Sequence, residues 1–211
     1  MKQLGFLALC ALTLFATQSA NAADEDGWIT LFDGSSLKGW KASENKDAWT
    51  LKDGILTCHG ERSHLFYVGK HAPFKNFELK VEVMAEKNSN SGIYFHTEYQ
   101  ETGWPKKGFE TQVNNTYVKD PKKTGSLYGV VNVTDQLVGD GEWWTQHVIV
   151  KDNTVTIKVN GKTTVKYTQP DDYVPEDKNF ERKISSGTFA LQAHDPHSIV
   201  HYRSVKVKPL P

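Results

Sequence analysis

Two short stretches of this 211-residue chain set acids, amides, an imidazole and a phenol at alternate positions. In SGIYFHTE, Tyr94, His96 and Glu98 alternate with Ile93, Phe95 and Thr97; in GFETQVN, Glu110, Gln112 and Asn114 alternate with Phe109, Thr111 and Val113. Alternate residues of a strand share a face, so each segment offers one face to a core and one polar face to solvent or ligand. With Trp104 in the connecting loop as a stacking surface, two such faces make a groove suited to a sugar. An ordinary solvated sheet face produces the same alternation and is the competing reading.

A further group follows the strand-like TFAL: Gln192, His194, Asp195 and His197. Gln192 and His194 share a face by alternation, and the tight Asp195-Pro196-His197 segment is expected to turn His197 back toward them. Histidines beside an aspartate either bind a divalent metal that polarises a carbonyl or form a hydrogen-bonded pair that holds the loop. The spacing matches no strong metal signature, and the sequence requires no cofactor; no glycine-rich phosphate loop is present. His59, His64 and His71 lack accompanying acids and are expected on the surface or in packing. His201 is placed outside the site, and Arg203 in a structural ion pair.

These groups must be held by strands, because apolar residues nowhere recur at helical spacing over three turns. FELKVEVMAE, WTQHVIVK, TFALQAH and SIVHYRSVKVK read as strands. NTVTIKVNGKTTVKYT reads as a hairpin, with Asn160-Gly161 suited to a type I′ turn. Closely spaced Asp-Gly and Asn-Gly dipeptides indicate an all-β sandwich or barrel. Residues 169–186, rich in charge and holding Pro170 and Pro175, are expected to form a loop. Trp40, Trp49, Trp143 and Trp144 are expected in packing.

Residues 1–22 begin with a lone Lys2, continue through an apolar run and end in Ala20-Asn21-Ala22, the pattern of a secretory signal peptide. The remainder, 23–211, is expected to form a single domain in the periplasm or outside the cell, with no membrane span. Without Lys2, the 25 basic residues become 24 against 25 acidic ones, a balance that gives nucleic acid or an anionic membrane no foothold. Six Trp, eight Tyr and ten Phe suffice for one sizeable core. Processing leaves only Cys58, so no internal disulfide forms, and its strand-like neighbours mark a buried, inert thiol.

Several ordered blocks carry a family resemblance: LFDGSSLKGW, DGIL, FELKVEV, NSGIYFH, GFETQV, TGSLYGV, GEWWTQHVIV, and TFALQAH followed by YRSVKVK. Together they resemble the domain long called DUF1080, the 3-keto-disaccharide hydrolase or 3-keto-glucoside 1,2-lyase domain, over nearly all of residues 23–211. The resemblance implies a concanavalin A-like jelly-roll sandwich of two antiparallel sheets. It also implies cleavage of oxidised glycosides, small molecules whose C3 ketone would be made by a separate upstream oxidoreductase. Such a ketone acidifies the proton at C2 and lets the C1 substituent leave once that proton is taken. Within the matching blocks, Glu110 and His96 are the candidate acid/base pair, with Gln112, Tyr128 and Gln192 orienting hydroxyls or the developing oxyanion. The family often has arginine at the position of His96, which favours substrate binding for that residue.

His194 is a further catalytic candidate, while Tyr94, Trp104 and His197 are candidate substrate contacts. Glu110, Gln112 and Asn114 retain one carboxylate where a jelly-roll glucanase would carry three acids; Glu98 could in principle supply a second, but the sequence does not fix its register against Glu110. Hydrolysis by paired carboxylates needs two, roughly 5 Å apart for retention and farther for inversion. A non-catalytic carbohydrate-binding module using the same polar face is the alternative from another class, and a paired-carboxylate glycosidase the less favoured one.

Overall fold

The computed structural model describes residues 26–177 and 179–211, so the expected signal peptide lies outside the described residues. The chain forms β1 (Ile29–Phe32), β2 (Trp40–Ala42), β3 (Trp49–Lys52), β4 (Ile55–His59), β5 (Ser63–Tyr67), β6 (Phe77–Ala85) and β7 (Ser91–Thr97). It continues with β8 (Phe109–Val113), β9 (Trp144–Lys151), β10 (Thr154–Val159), β11 (Lys162–Thr168), β12 (Thr188–Ala193) and β13 (Ile199–Pro209). The helical content of the described residues is one 3-10 turn at Lys46–Ala48. This is the all-β architecture that the alternating strands and turn spacing indicated, and the two-sheet, concanavalin A-like jelly roll that the family resemblance implied.

One sheet runs β11-β10-β9-β6-β13-β4-β3, with β1 also paired to β13; the other runs β2-β5-β12-β7-β8. Every strand pair is antiparallel. The β10–β11 hairpin closes on Asn160 and Gly161, both at positive φ (48° and 81°), as a type I′ turn requires. Between the sheets, Leu79, Val81, Val83, Val148, Val150 and Ile157 meet Leu65, Ile93, Phe95, Phe109, Phe189 and Leu191. Each such side chain contributes about 1.5–3 kcal/mol of apolar burial.

The two sheets differ in their outer faces. β6 alternates buried and accessible residues along its length, whereas β5, β7, β8 and β12 are buried at every position. Their second face meets a roof of connecting loops, among whose residues Trp104, Asp120, Tyr128, Phe180 and Arg182 wall the cleft. Residues 169–177 and 179–187 form an irregular connection from β11 to β12, as their prolines and charges suggested.

Buried polar links hold the cleft strands from behind. Gln146 on β9 donates through Nε2 to Thr111 Oγ1 (2.6 Å) and the Gln112 carbonyl (3.2 Å), tying β8 to the opposite sheet. Ser91 Oγ donates to the Gln192 carbonyl (2.6 Å) and meets Tyr202 Oη at 2.8 Å. Cys58 Sγ lies 3.4 Å from that carbonyl, and burial pushes its thiol up to about 12, so it is inert as expected.

Candidate active site

Register assembles the site in two rows. Tyr94 on β7 pairs with Glu110 on β8 and with Ala190 on β12, which pairs with Phe66 on β5. One step along, Gly92 pairs with Gln112, and Gln192 with His64. The first row is therefore Phe66, Ala190, Tyr94 and Glu110; the second holds His64, Gln192, Gly92 and Gln112. Above them opens a cleft of about 250 Å³, walled by Asn90, Tyr94, Glu110, Gln112 and Gln192 from the sheet. Trp104, Asp120, Tyr128, Phe180, Arg182 and His194 complete its walls.

Glu110 is the chemical centre of this cleft, with 8 % of its surface exposed. Tyr94 Oη donates to its Oε2 (2.9 Å), while Gln192 Nε2 lies 3.0 Å from Tyr94 Oη and 3.3 Å from Glu110 Oε1. Gln112 turns its amide nitrogen to Glu110 Oε1 and the Ser91 carbonyl, both at 3.2 Å, with Asn90 at 3.1 Å on its other side. Burial raises the Glu110 carboxyl to about 7, outweighing the Tyr94 hydrogen bond, the Arg182 charge and the Gln192 hydrogen bond, all of which lower it. A carboxyl poised there exchanges protons near neutral pH. Gly92 makes room for it: a Cβ there would stand 2.1 Å from Glu110 Oε1 and 2.7 Å from its Cδ.

His194 reaches the cleft from the end of β12. Its Nδ1 meets Asp195 Oδ2 at 2.7 Å, and Asp195 is fixed by the His197 amide (2.9 Å) and Ser198 Oγ (3.0 Å). A carboxylate against Nδ1 favours the tautomer protonated at that nitrogen. Trp104 stands beside His194 with ring centroids 5.4 Å apart. Tyr128 lies on the far wall, its amide bonded to the Glu110 carbonyl (2.9 Å) and its ring 4.5 Å from Lys122 Nζ.

Three expectations from the sequence are corrected. His96 lies outside the cleft, because β7 carries an extra residue there: Thr97 pairs with Thr188 and Phe95 with Phe189, leaving His96 unpaired with φ at 55°. The bulge turns its ring onto Phe77 and Phe95. There Nε2 donates to the Lys75 carbonyl (2.8 Å) and Nδ1 accepts from the Ser185 amide (3.3 Å). Burial lowers it to about 4, a neutral structural imidazole. His197 is exposed rather than turned toward Gln192, because the Asp195 carboxylate caps the turn through the His197 backbone. Glu98, beyond the bulge, is exposed and pairs with Lys107 Nζ at 3.3 Å.

Tyr94, Gln112, Gln192, Glu110, Trp104, Tyr128 and His194 do come together. Asn114 is structural: its amide binds the carbonyls of Asp120 (3.0 Å) and Lys122 (2.9 Å), which shapes the loop carrying Asp120 to the cleft. Asp120 is thus a second carboxyl on the wall, with its Oδ1 held by the Lys122 amide (2.9 Å). Phe180 and Arg182 arrive from the β11–β12 connection, where Glu181 exchanges backbone hydrogen bonds with Lys106 (2.6 Å) and Gly108 (2.9 Å). Charge density and loop position in the sequence carry no sign of that docking. Among the described residues, no group of three or more His, Cys, Asp or Glu side chains is arranged to hold a metal ion. No helix among them is long and apolar enough to cross a membrane.

Residues 27–208 match the profile of the 3-keto-alpha-glucoside-1,2-lyase-like domain, and the chain belongs to that family. It is 27% identical over 178 residues to a 3-keto-disaccharide hydrolase of Bacteroides thetaiotaomicron, covering 68% of this chain and 59% of that protein. The match thus spans under two thirds of the relative's length. Among solved structures, a candidate glycosyl hydrolase from Parabacteroides distasonis superposes with a TM-score of 0.73 at 24% identity, covering 88% of this chain and 95% of that one. The carbohydrate binding module CBM66 from Bacillus subtilis shares the fold at a TM-score of 0.55 and 10% identity, covering 80% of this chain and 94% of its own.

Proposed function

We propose that this chain is an exported enzyme that cleaves 3-keto-glycosides, either 3-keto-disaccharides or 3-keto-glucosides, with Glu110 as the base. The observation that carries the reading is a single buried carboxyl, raised to about 7, inside a cleft lined with sugar-type hydrogen-bonding groups. In its ionised form Glu110 takes the C2 proton of the 3-keto sugar. The C2–H electrons form a C1=C2 double bond as the C1–O bond breaks, and the departing oxygen receives a proton. His194, steadied by Asp195, supplies that proton from Nε2 as imidazolium and is neutral afterwards. Addition of water across the double bond returns hydrogen to C2 and hydroxyl to C1, for net hydrolysis.

During proton removal, negative charge grows on the C3 oxygen. Arg182, whose positive charge already acts on Glu110 and Tyr94, is the group best placed to balance it. Gln112, Gln192 and Asn90 orient the remaining hydroxyls, and Trp104 stacks on the apolar ring face. In this reading the substrate ketone is made by a separate oxidoreductase, and the export pattern of residues 1–22 supports a reaction in the periplasm or outside the cell.

A test compares a 3-keto-glucoside with its unoxidised parent and follows aglycone release by the mature protein. Release from the keto sugar alone is expected. Equal release from both supports paired-carboxylate hydrolysis instead, and binding without release from either supports a carbohydrate-binding module.

A further inference from the structure

His64 faces the same side of the sheet as its register partner Gln192, yet contributes nothing to the cleft wall. It is completely buried, and its ring packs edgewise on Tyr94 (5.4 Å) and Trp104 (5.6 Å). Neither Nδ1 nor Nε2 has a hydrogen-bond partner in the protein. Buried polar atoms are nearly always paired, and a phenyl ring would fill the same space without leaving two nitrogens unmatched. An imidazole kept here implies a partner that arrives from outside the chain.

The electrostatics specify what that partner is. Burial foremost and the charge of Arg62 lower His64 to about 3, with His194 acting in the same direction and Glu44 against it. Arg62 is itself bound to Glu44 at 2.7 Å. The ring is therefore neutral, offering one N–H and one lone pair, and a hydroxyl group satisfies either in either tautomer. Trp104 packs against both this imidazole (5.6 Å) and His194 of the cleft wall (5.4 Å), with the Arg62 guanidinium 5.2 Å from its ring. The backbone of its loop is anchored independently of the indole. Gln100 binds the Trp104 carbonyl (2.9 Å) and the Lys106 amide (3.0 Å), and Glu44 binds the Gly103 amide (3.0 Å). These contacts hold the backbone and do not involve the indole, so a turn of the ring would leave them intact.

We propose that His64 is a specificity-determining residue concealed by Trp104: the indole turns onto the face of a bound sugar, and the imidazole beneath hydrogen-bonds a ring hydroxyl at the Gln192 end of the cleft. The inference rests on the cleft being a sugar site, and deepens it by naming a group that reads one hydroxyl. A sugar lacking that hydroxyl leaves the nitrogens unmatched and is rejected.

The experiment is an NMR titration of the mature protein with methyl α-glucoside, following the His64 ring nitrogens, the Trp104 indole N–H and the Gln192 side-chain amide. All three are expected to shift along one binding curve. His64→Phe is expected to weaken that binding about five-fold, the worth of one neutral hydrogen bond, without lowering Tm. His64→Gln, which keeps a donor and an acceptor, is expected to recover part of the loss. Shifts at Trp104 and Gln192 without His64, or an unchanged Kd in His64→Phe, overturn the proposal while the sugar-site reading stands. No shift at any of the three overturns the proposal, whereas the sugar-site reading falls only if the 3-keto-glucoside also goes uncleaved.

Discussion

Replacing Tyr94 by Phe removes one oxygen atom and tests the acid–base assignment directly. That hydroxyl donates to Glu110 Oε2 at 2.9 Å and lies 3.0 Å from Gln192 Nε2. A hydrogen bond to a charged group is worth about 1.5–3 kcal/mol, which corresponds to roughly one to two pKa units. Gln192 Nε2 already stands 3.3 Å from Glu110 Oε1 and is free to close in once the hydroxyl is gone, recovering part of the loss. The carboxyl is therefore expected to rise by about one unit from its present value of about 7. The base acts when ionised, so the acidic limb of kcat/KM moves to higher pH. Relative to wild type, activity falls about five-fold near pH 7 and the difference nearly closes by about pH 9. The assay is aglycone release from a 3-keto-glucoside across that range. A limb that stays where it is, with the rate lowered equally at every pH, refutes Glu110 as the titrating base.

Glu110→Gln is expected to abolish turnover and to stabilise the fold at alkaline pH. The folded carboxyl is raised from 4.5 to about 7. The unfolded chain therefore ionises first, and wild-type stability falls as pH climbs through that window by up to about 3 kcal/mol. Urea unfolding at both ends of the window should show the variant's advantage at the alkaline end only; an advantage independent of pH contradicts the raised carboxyl. Gly92→Ala, by displacing a side chain now 2.1 Å from the new Cβ, should cost about 10²-fold in kcat/KM with the fold kept, as circular dichroism can establish. Asp120→Asn should retain keto-glycoside cleavage within about ten-fold, whereas a loss of about 10³-fold or more would point to a working carboxylate pair.

Much of this architecture can be read from strand periodicity. Alternation along β7 and β8 separates Ile93, Phe95, Phe109 and Val113, which reach the core, from Tyr94, Glu110 and Gln112, which reach the cleft. The same rule fails at His96, because parity holds only while no residue is inserted. The insertion depends on distant glycines: a Cβ at Gly108 or at Gly187 would stand 2.6 Å from the His96 carbonyl carbon. Nothing local in YFHTE records that packing. Asp120, Phe180 and Arg182 elude pattern reading for a related reason. They reach the cleft through irregular loops shaped by the Asn114 side chain and by the backbone of Glu181, and neither has a periodicity to follow. For His64 the sequence leaves surface and packing roles open, and the structure packs it; what alternation along β5 leaves out is that its packing partners are Tyr94 and Trp104, two walls of the site.

The division between strand and loop also explains how one carboxyl comes to titrate near neutrality. The strands supply position: register sets Tyr94 beside Glu110, and Gly92 clears the space above the sheet. The loops contribute to the dielectric, since the largest influence on Glu110 is burial and loop residues Tyr128, Phe180 and Arg182 help to wall its cleft. Arg182 arrives on the same roof and works the other way, lowering the carboxyl that its own segment helps to bury. Removing only the charge should therefore raise Glu110, whereas opening the roof should lower it toward its ordinary value. The two effects have opposite signs, so the pH profile separates electrostatic tuning by the loop from simple exclusion of water.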